Sequence, residues 1–167
     1  PKPSSAASDV YKRQLRLERE ADGSATLVQS DPRPHRLRVG LYHRIDGRVV
    51  RRDQLALDIH DERTPIEVPS ADLVLLNDDD LTYAKVRLDE ASLTTVQESL
   101  SSIDDPLARA VVWSSLWNAT RDGELTVARY TSIVRAHAPH ESNIGLLVGI
   151  LSNALFSIRH YASDGER

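Results

Sequence analysis

Apolar and polar residues alternate along the first half of the chain and recur three and four apart along the second. The first pattern is that of strands with one buried face, the second that of amphipathic helices. Leu15 and Leu17 alternate with Arg16 and Glu18, and Asp22-Gly23 offers a turn into Ala25-Thr26-Leu27-Val28, which predicts a hairpin. After the rigid crossover Asp31-Pro32-Arg33-Pro34, the inward set is Leu37, Val39, Leu41, His43 and Ile45, ending at Asp46-Gly47. That dipeptide suits a tight hairpin because both residues tolerate positive φ. The return strand is expected over 48–59 with Leu55, Leu57 and Ile59 facing inward, and Ile66 with Val68 form a proline-flanked piece suited to a sheet edge.

The pattern changes across 71–90. Leu73 to Leu76 is a continuous apolar run, as in a buried strand, and Asn77-Asp78-Asp79-Asp80 breaks it as a solvated acidic turn. From Leu81 to Leu88 the alternation returns, with Thr82, Ala84, Val86 and Leu88 on one face and Leu81, Tyr83, Lys85 and Arg87 on the other, so a further strand is predicted there. Six or seven short strands at such regular spacing imply a sandwich.

Beyond Glu90, Leu93, Val96, Leu100 and Ile103 share one helix face. Asp105-Pro106 reads as an N-cap followed by proline at the first helical position. The stripe of that helix is Leu107, Ala110, Val111, Ser114 and Trp117, widened by Trp113 and Leu116, and Asp122-Gly123 stops it. Thr126 caps the next helix, with Leu125 and Tyr130 at the staple positions, and Tyr130, Ile133, Val134 and His137 as its buried stripe up to Pro139. A last helix from near Ser142 is expected to bury Ile144, Leu147, Val148, Leu151, Leu155 and Ile158, and to be apolar enough to want a further neighbour. The predicted class is α+β: an antiparallel β-sandwich over 14–90 followed by antiparallel helix pairs over 91–167 that begin an α-solenoid truncated at its C-terminal edge. Residues 1–13 have a linker-like composition and are set aside as a leader or non-native tail.

Composition narrows the function classes. Hydrophobic content of 40% and charged content of 28% fit a globular protein. Lys and Arg number 13 against 11 Asp and Glu in residues 1–70 and 8 against 14 in residues 71–167, too small an asymmetry for a nucleic-acid partner. The arginines of the first half, scattered along alternating strands, are read as marking the solvent side. Without cysteine there is no disulfide, thiolate metal site or cysteine nucleophile. No apolar run approaches the ~20 residues of a spanning helix, and no signal core is visible, so a membrane partner is not expected and a cytoplasmic location is. The absence of methionine suggests a chain that starts partway through a longer one.

Three stretches carry a family resemblance: Arg36-Leu37-Arg38-Val39-Gly40-Leu41-Tyr42, Leu73 to Glu90, and Trp113-Ser114-Ser115-Leu116-Trp117-Asn118-Ala119-Thr120-Arg121-Asp122-Gly123-Glu124-Leu125. Together they resemble the C-terminal part of M1-family zinc aminopeptidases of the bacterial aminopeptidase N type, over about 14–161. The resemblance implies a thermolysin-like catalytic domain lying outside this sequence, then a small β-sandwich and a domain of paired helices. It implies a non-catalytic portion of an enzyme that hydrolyses N-terminal residues from peptides through zinc-bound water. The helical part would cover the active-site cavity. The partners implied are the catalytic domain of the same parent chain and, through it, peptide substrates; the zinc belongs to the parent, with none bound by this segment.

No motif within the chain carries that chemistry by itself, and the catalytic, substrate-binding and metal residues expected here are none. His140-Glu141 opens the His-Glu-x-x-His zinc pattern, but Ile144 stands where the second histidine is required, and Pro139 marks a helix start and separates His137 from His140. His35, His43, His60 and His160 have no ligand spacing. A calcium loop begun at Asp78 would need glycine where Tyr83 stands, and one begun at Asn77 would put Leu81 at a ligand position. Gly145 and Gly149 read as small residues for close helix packing, and Trp113 with Trp117 as core. The alternative readings are a stand-alone sandwich and helical interaction module, and a carbohydrate-binding sandwich for which Tyr42 and Tyr83 are too few exposed aromatics.

Overall fold

The computed structural model describes residues 13–20 and 24–162. The Asp22-Gly23 turn and all but the last residue of the expected leader lie outside the described residues.

The strands are β1 (Gln14–Arg19), β2 (Ala25–Gln29), β3 (His35–Ile45), β4 (Arg48–Ile59), β5 (Arg63–Ile66), β6 (Leu73–Leu76) and β7 (Lys85–Val86). They form two sheets, in the orders β5-β2-β1-β7 and β4-β3-β6. Every ladder is antiparallel except β1 with β7, which is parallel; the expected wholly antiparallel sandwich is corrected on that point. The β3–β4 hairpin turns at Asp46 and Gly47, with φ of 51° and 77°, as the dipeptide requires.

Two local rules of alternation give way. A register shift between Leu41 and Tyr42 in the β3–β4 ladder breaks the alternation, and both side chains are buried. Tyr42, counted from the sequence as an exposed aromatic, has 0% exposure. Beyond the reach of β6, which pairs only with 39–42, Ile45 is 37% exposed. The strand expected over 81–88 shrinks to Lys85–Val86. Asn77 explains this: its side-chain amide donates to the Thr82 carbonyl at 2.8 Å and its Oδ1 accepts from the Thr82 N–H at 3.0 Å, which holds the connection as a loop.

Four helices follow: α1 (Glu90–Ser99), α2 (Pro106–Arg121), α3 (Val127–His137) and α4 (Ile144–His160), with single 3-10 turns at Leu100–Ser102 and Ala138–His140. Side-chain oxygens of Asp89, Asp105, Thr126 and Asn143 accept from backbone N–H groups of their first turns. The caps foreseen at Asp105 and Thr126 are thus present, and Asp122-Gly123 ends α2 with Gly123 at φ 79°. The buried stripe of α3 is the expected Tyr130, Ile133, Val134 and His137.

The faces of α2 and α4 are rotated from expectation. In α2 the buried set includes Ala108, Val112 and Ser115, whereas Leu107 and Ser114 are exposed. Small residues sit inward because the helix lies close on β7, where Ser115 Oγ donates to the Val86 carbonyl. In α4 the buried residues are Ile150, Ala154 and Ser157. Ile144, Val148, Leu151 and Leu155, expected inside, are 77%, 59%, 51% and 48% exposed. One continuous hydrophobic cluster joins Leu17 and Leu37 of the sheets with Val96, Val112 and Ile133 of the helices.

Candidate functional site

Two polar centres stand out, one among the strands and one where strand and helix meet. The first is the aspartate corner after β6. Asn77 and Asp80 have positive φ, 55° and 52°, so the chain turns sharply and drives Asp78 back under β3. Asp78, expected to be solvated, has 0% exposure. Its Oδ1 accepts from the Tyr42 hydroxyl, and its Oδ2 accepts from Arg51 Nη1 at 2.6 Å and Gln54 Nε2 at 2.9 Å. A Cβ on Gly40 would come within 2.5 Å of the Asp78 carboxylate, so only glycine leaves room for it. Neighbouring Asp79 pairs with Arg38 and, at 3.0 Å, with Arg51.

The electrostatics of this corner are those of a closed network. Burial, with the hydrogen bond to Asp78, pushes the Tyr42 phenol far above its usual range, so it remains a donor. Partial burial pulls Asp79 upward, but hydrogen bonds from Arg38, Arg51 and Gln54 outweigh it and hold the carboxyl below its ordinary value. Both Asp78 oxygens are already engaged. The arrangement fixes geometry and offers no open ligand position.

The second centre is a seam between β7 and the end of α2. Lys85 Nζ lies 2.6 Å from Asp122 Oδ2, and Arg87 pairs with Asp122 and, at 2.6 Å, with Glu124. The Arg87 side chain is only 7% exposed. Burial works against the Asp122 charge, but the bonds from Lys85 and Arg87 win and lower its pKa. The arginines of β3 and β4, read as solvent markers, also reach across: Arg44 to Glu98 at 2.8 Å and Arg48 to Asp104 at 2.6 Å.

The histidines are dispersed. His35 Nδ1 lies 2.7 Å from Thr82 Oγ1. His137 bridges Ser101 Oγ at 3.0 Å and the Gln97 carbonyl at 2.9 Å. The His160 ring packs 4.2 Å from that of Phe156. Glu141, the glutamate of the incomplete zinc pattern, gives both oxygens to Arg109 at 3.0 and 3.1 Å, and Ile144 is 77% exposed. Among the described residues no group of three or more His, Asp or Glu side chains is placed to hold a metal ion. The residues present do not fit a zinc centre.

A family model described as ERAP1-like C-terminal domain matches residues 73–167, more than half of the chain. The chain belongs to the ERAP1-like C-terminal domain family. It is also 40% identical over 153 residues to "Aminopeptidase N" of Streptomyces lividans, a match covering 88% of this chain and 17% of that relative. The chain thus spans about 17% of the length of the curated relative it matches. The likeness to the C-terminal part of M1 aminopeptidases, first visible at Leu73 to Glu90, is borne out. The family match begins at Leu73, so it takes in β6, the aspartate corner and the Arg87 seam together with all four helices. No described helix is long and apolar enough to cross a membrane.

Proposed function

We propose that this chain is a non-catalytic C-terminal portion of a longer, zinc-dependent aminopeptidase that removes N-terminal residues from peptides. The observation that carries the reading is the 40% identity to an aminopeptidase N over most of the chain, joined to the family match over 73–167. In this reading 14–90 is the sandwich domain, 91–167 holds the first helices of the helical domain, and 1–13 is a leader. The helical part begins a solenoid that covers the active-site cavity of the catalytic domain, its partner in the same chain, in the cytoplasm. The apolar outer stripe of α4 supports a further body packed on that side, since a set of exposed aliphatics on one helix face marks a contact surface.

Zinc and its activated water belong to the catalytic domain in this account; the closed carboxylate networks of this chain serve to hold its two layers in fixed relation. The test is direct. The purified 167-residue chain should not turn over leucine or alanine p-nitroanilide, whereas turnover that persists through purification and is abolished by a chelator would overturn the assignment.

A further inference from the structure

The outer face of α2 and the segment that leads from the aspartate corner into β7 border two cavities, of about 120 and 310 Å³, which share Asp80, Ala84 and Ser114. The smaller has an aliphatic lining of Ala84, Val86, Leu107, Ala110 and Val111. It falls below the ~150 Å³ that takes a benzene ring, so it suits a short branched side chain. The larger is a polar trough bordered by Thr82, Tyr83, Asn118 and Arg121.

Asp80, just outside the closed network of the corner, gives the junction a chemical direction. Its neighbours Asp78 and Asp79 are neutralised by Arg51 and Arg38. Asp80 is exposed, its Oδ1 accepts from the Asn77 amide at 3.3 Å, and it forms no ion pair among the described residues. Of the described residues that line the smaller cavity it alone is charged, and the Asn77 and Ser115 side chains there are already bonded to Thr82 and Val86. The cations of the trough leave this charge in place. Lys85 Nζ is held by both Asp122 oxygens, at 2.9 and 2.6 Å. Arg121 lies seven residues beyond Ser114 on α2, about 10 Å along the axis and so about one screening length away. A carboxylate at the junction, hydrocarbon on one side and hydrogen-bonding groups on the other complement the first residue of a peptide: ammonium, aliphatic side chain and the main chain that follows.

We propose that this junction binds the free N-terminus of a short peptide with a branched aliphatic first residue. The ammonium sits on Asp80, the side chain fills the smaller cavity and the main chain runs along the trough. The family assignment rests on other observations and would survive a failed titration.

The probe is leucinamide, titrated into the intact chain and followed by heteronuclear NMR at the Val86, Leu107 and Val111 methyls and the Asn118 side-chain amide. Saturable shifts are expected at all four. N-acetyl-leucinamide, which lacks the charge, should bind about threefold to fivefold weaker, the worth of one partly exposed ion pair. Asp80→Asn should weaken leucinamide by a similar factor and keep the fold, because asparagine also accepts the positive φ of this position. The amine without the carboxamide, 3-methylbutylamine, should bind more weakly and leave Asn118 unshifted. Equal binding of the acetylated compound, an unchanged affinity in Asp80→Asn or the absence of saturable shifts would overturn the proposal. Binding of 3-methylbutylamine as tight as that of leucinamide would overturn the peptide assignment.

Discussion

At the aspartate corner a carboxylate with 0% exposure is met by a phenol, a guanidinium and an amide. On the outer face of α4 four aliphatic side chains stand between 48% and 77% exposed. One region buries charge and the other exposes hydrocarbon, each against the usual preference. The difference lies in closure. Tyr42, Arg51 and Gln54 come from β3 and β4, so the corner is completed by the chain itself. The described residues leave the α4 stripe uncovered, as the proposed portion of a longer enzyme should show.

If the corner is closed and internal, damage there should be costly to the isolated chain. Asp78→Ala leaves the Tyr42 hydroxyl buried without its acceptor and Arg51 without its main partner, and should lower unfolding free energy by about 3–5 kcal/mol in urea titrations. Asp78→Asn, which keeps an oxygen but not the charge, should fall between this variant and wild type. Gly40→Ala forces a methyl against the pinned carboxylate, and a loss of about 1–3 kcal/mol is expected.

Acid should work on the same contacts more gradually. His35 has a lowered pKa, through burial first and then the charges of Arg13 and Arg33. The unfolded chain therefore takes up the proton first, and stability should decline as pH falls from the ordinary histidine value toward the lower folded one. Asp79, Asp122 and Glu141, all held below their ordinary values in the folded chain, add a second decline once pH falls through the carboxylate range. Thermal melts across pH should show both, and His35→Gln should remove the first. The smallest effect is expected on the open face: Leu151→Ser should move the stability of the isolated chain by no more than about 0.5 kcal/mol.

Sequence patterns made the elements legible where the cause was local. Asp46-Gly47, Asp105-Pro106 and Thr126 each specify a turn or cap within a few residues, and each occurs where expected. The corner was misread because its partners lie 24 to 36 positions away from Asp78, and an acidic triplet viewed locally is a solvated turn. The burial of Arg87 had no local signal for a related reason, since alternation assigns a face but does not reveal Asp122 and Glu124, which neutralise it from just beyond the end of α2. In α2 and α4 both candidate faces carry apolar residues, so periodicity found the helices without deciding which stripe would be covered. Ala108 and Ser115, small and inward, carry little hydrophobic signal. The family resemblance rested on stretches such as Leu73 to Glu90, where turn, seam and cap are encoded together.

The measurement that reaches furthest is side-chain footprinting of α4 in the isolated chain and in its full-length polypeptide. The account predicts strong labelling of Ile144, Val148, Leu151 and Leu155 in the isolated chain, deep protection of the same four in the full-length protein, and equal protection of Tyr42 in both. Equal labelling of the α4 stripe in the two would contradict it.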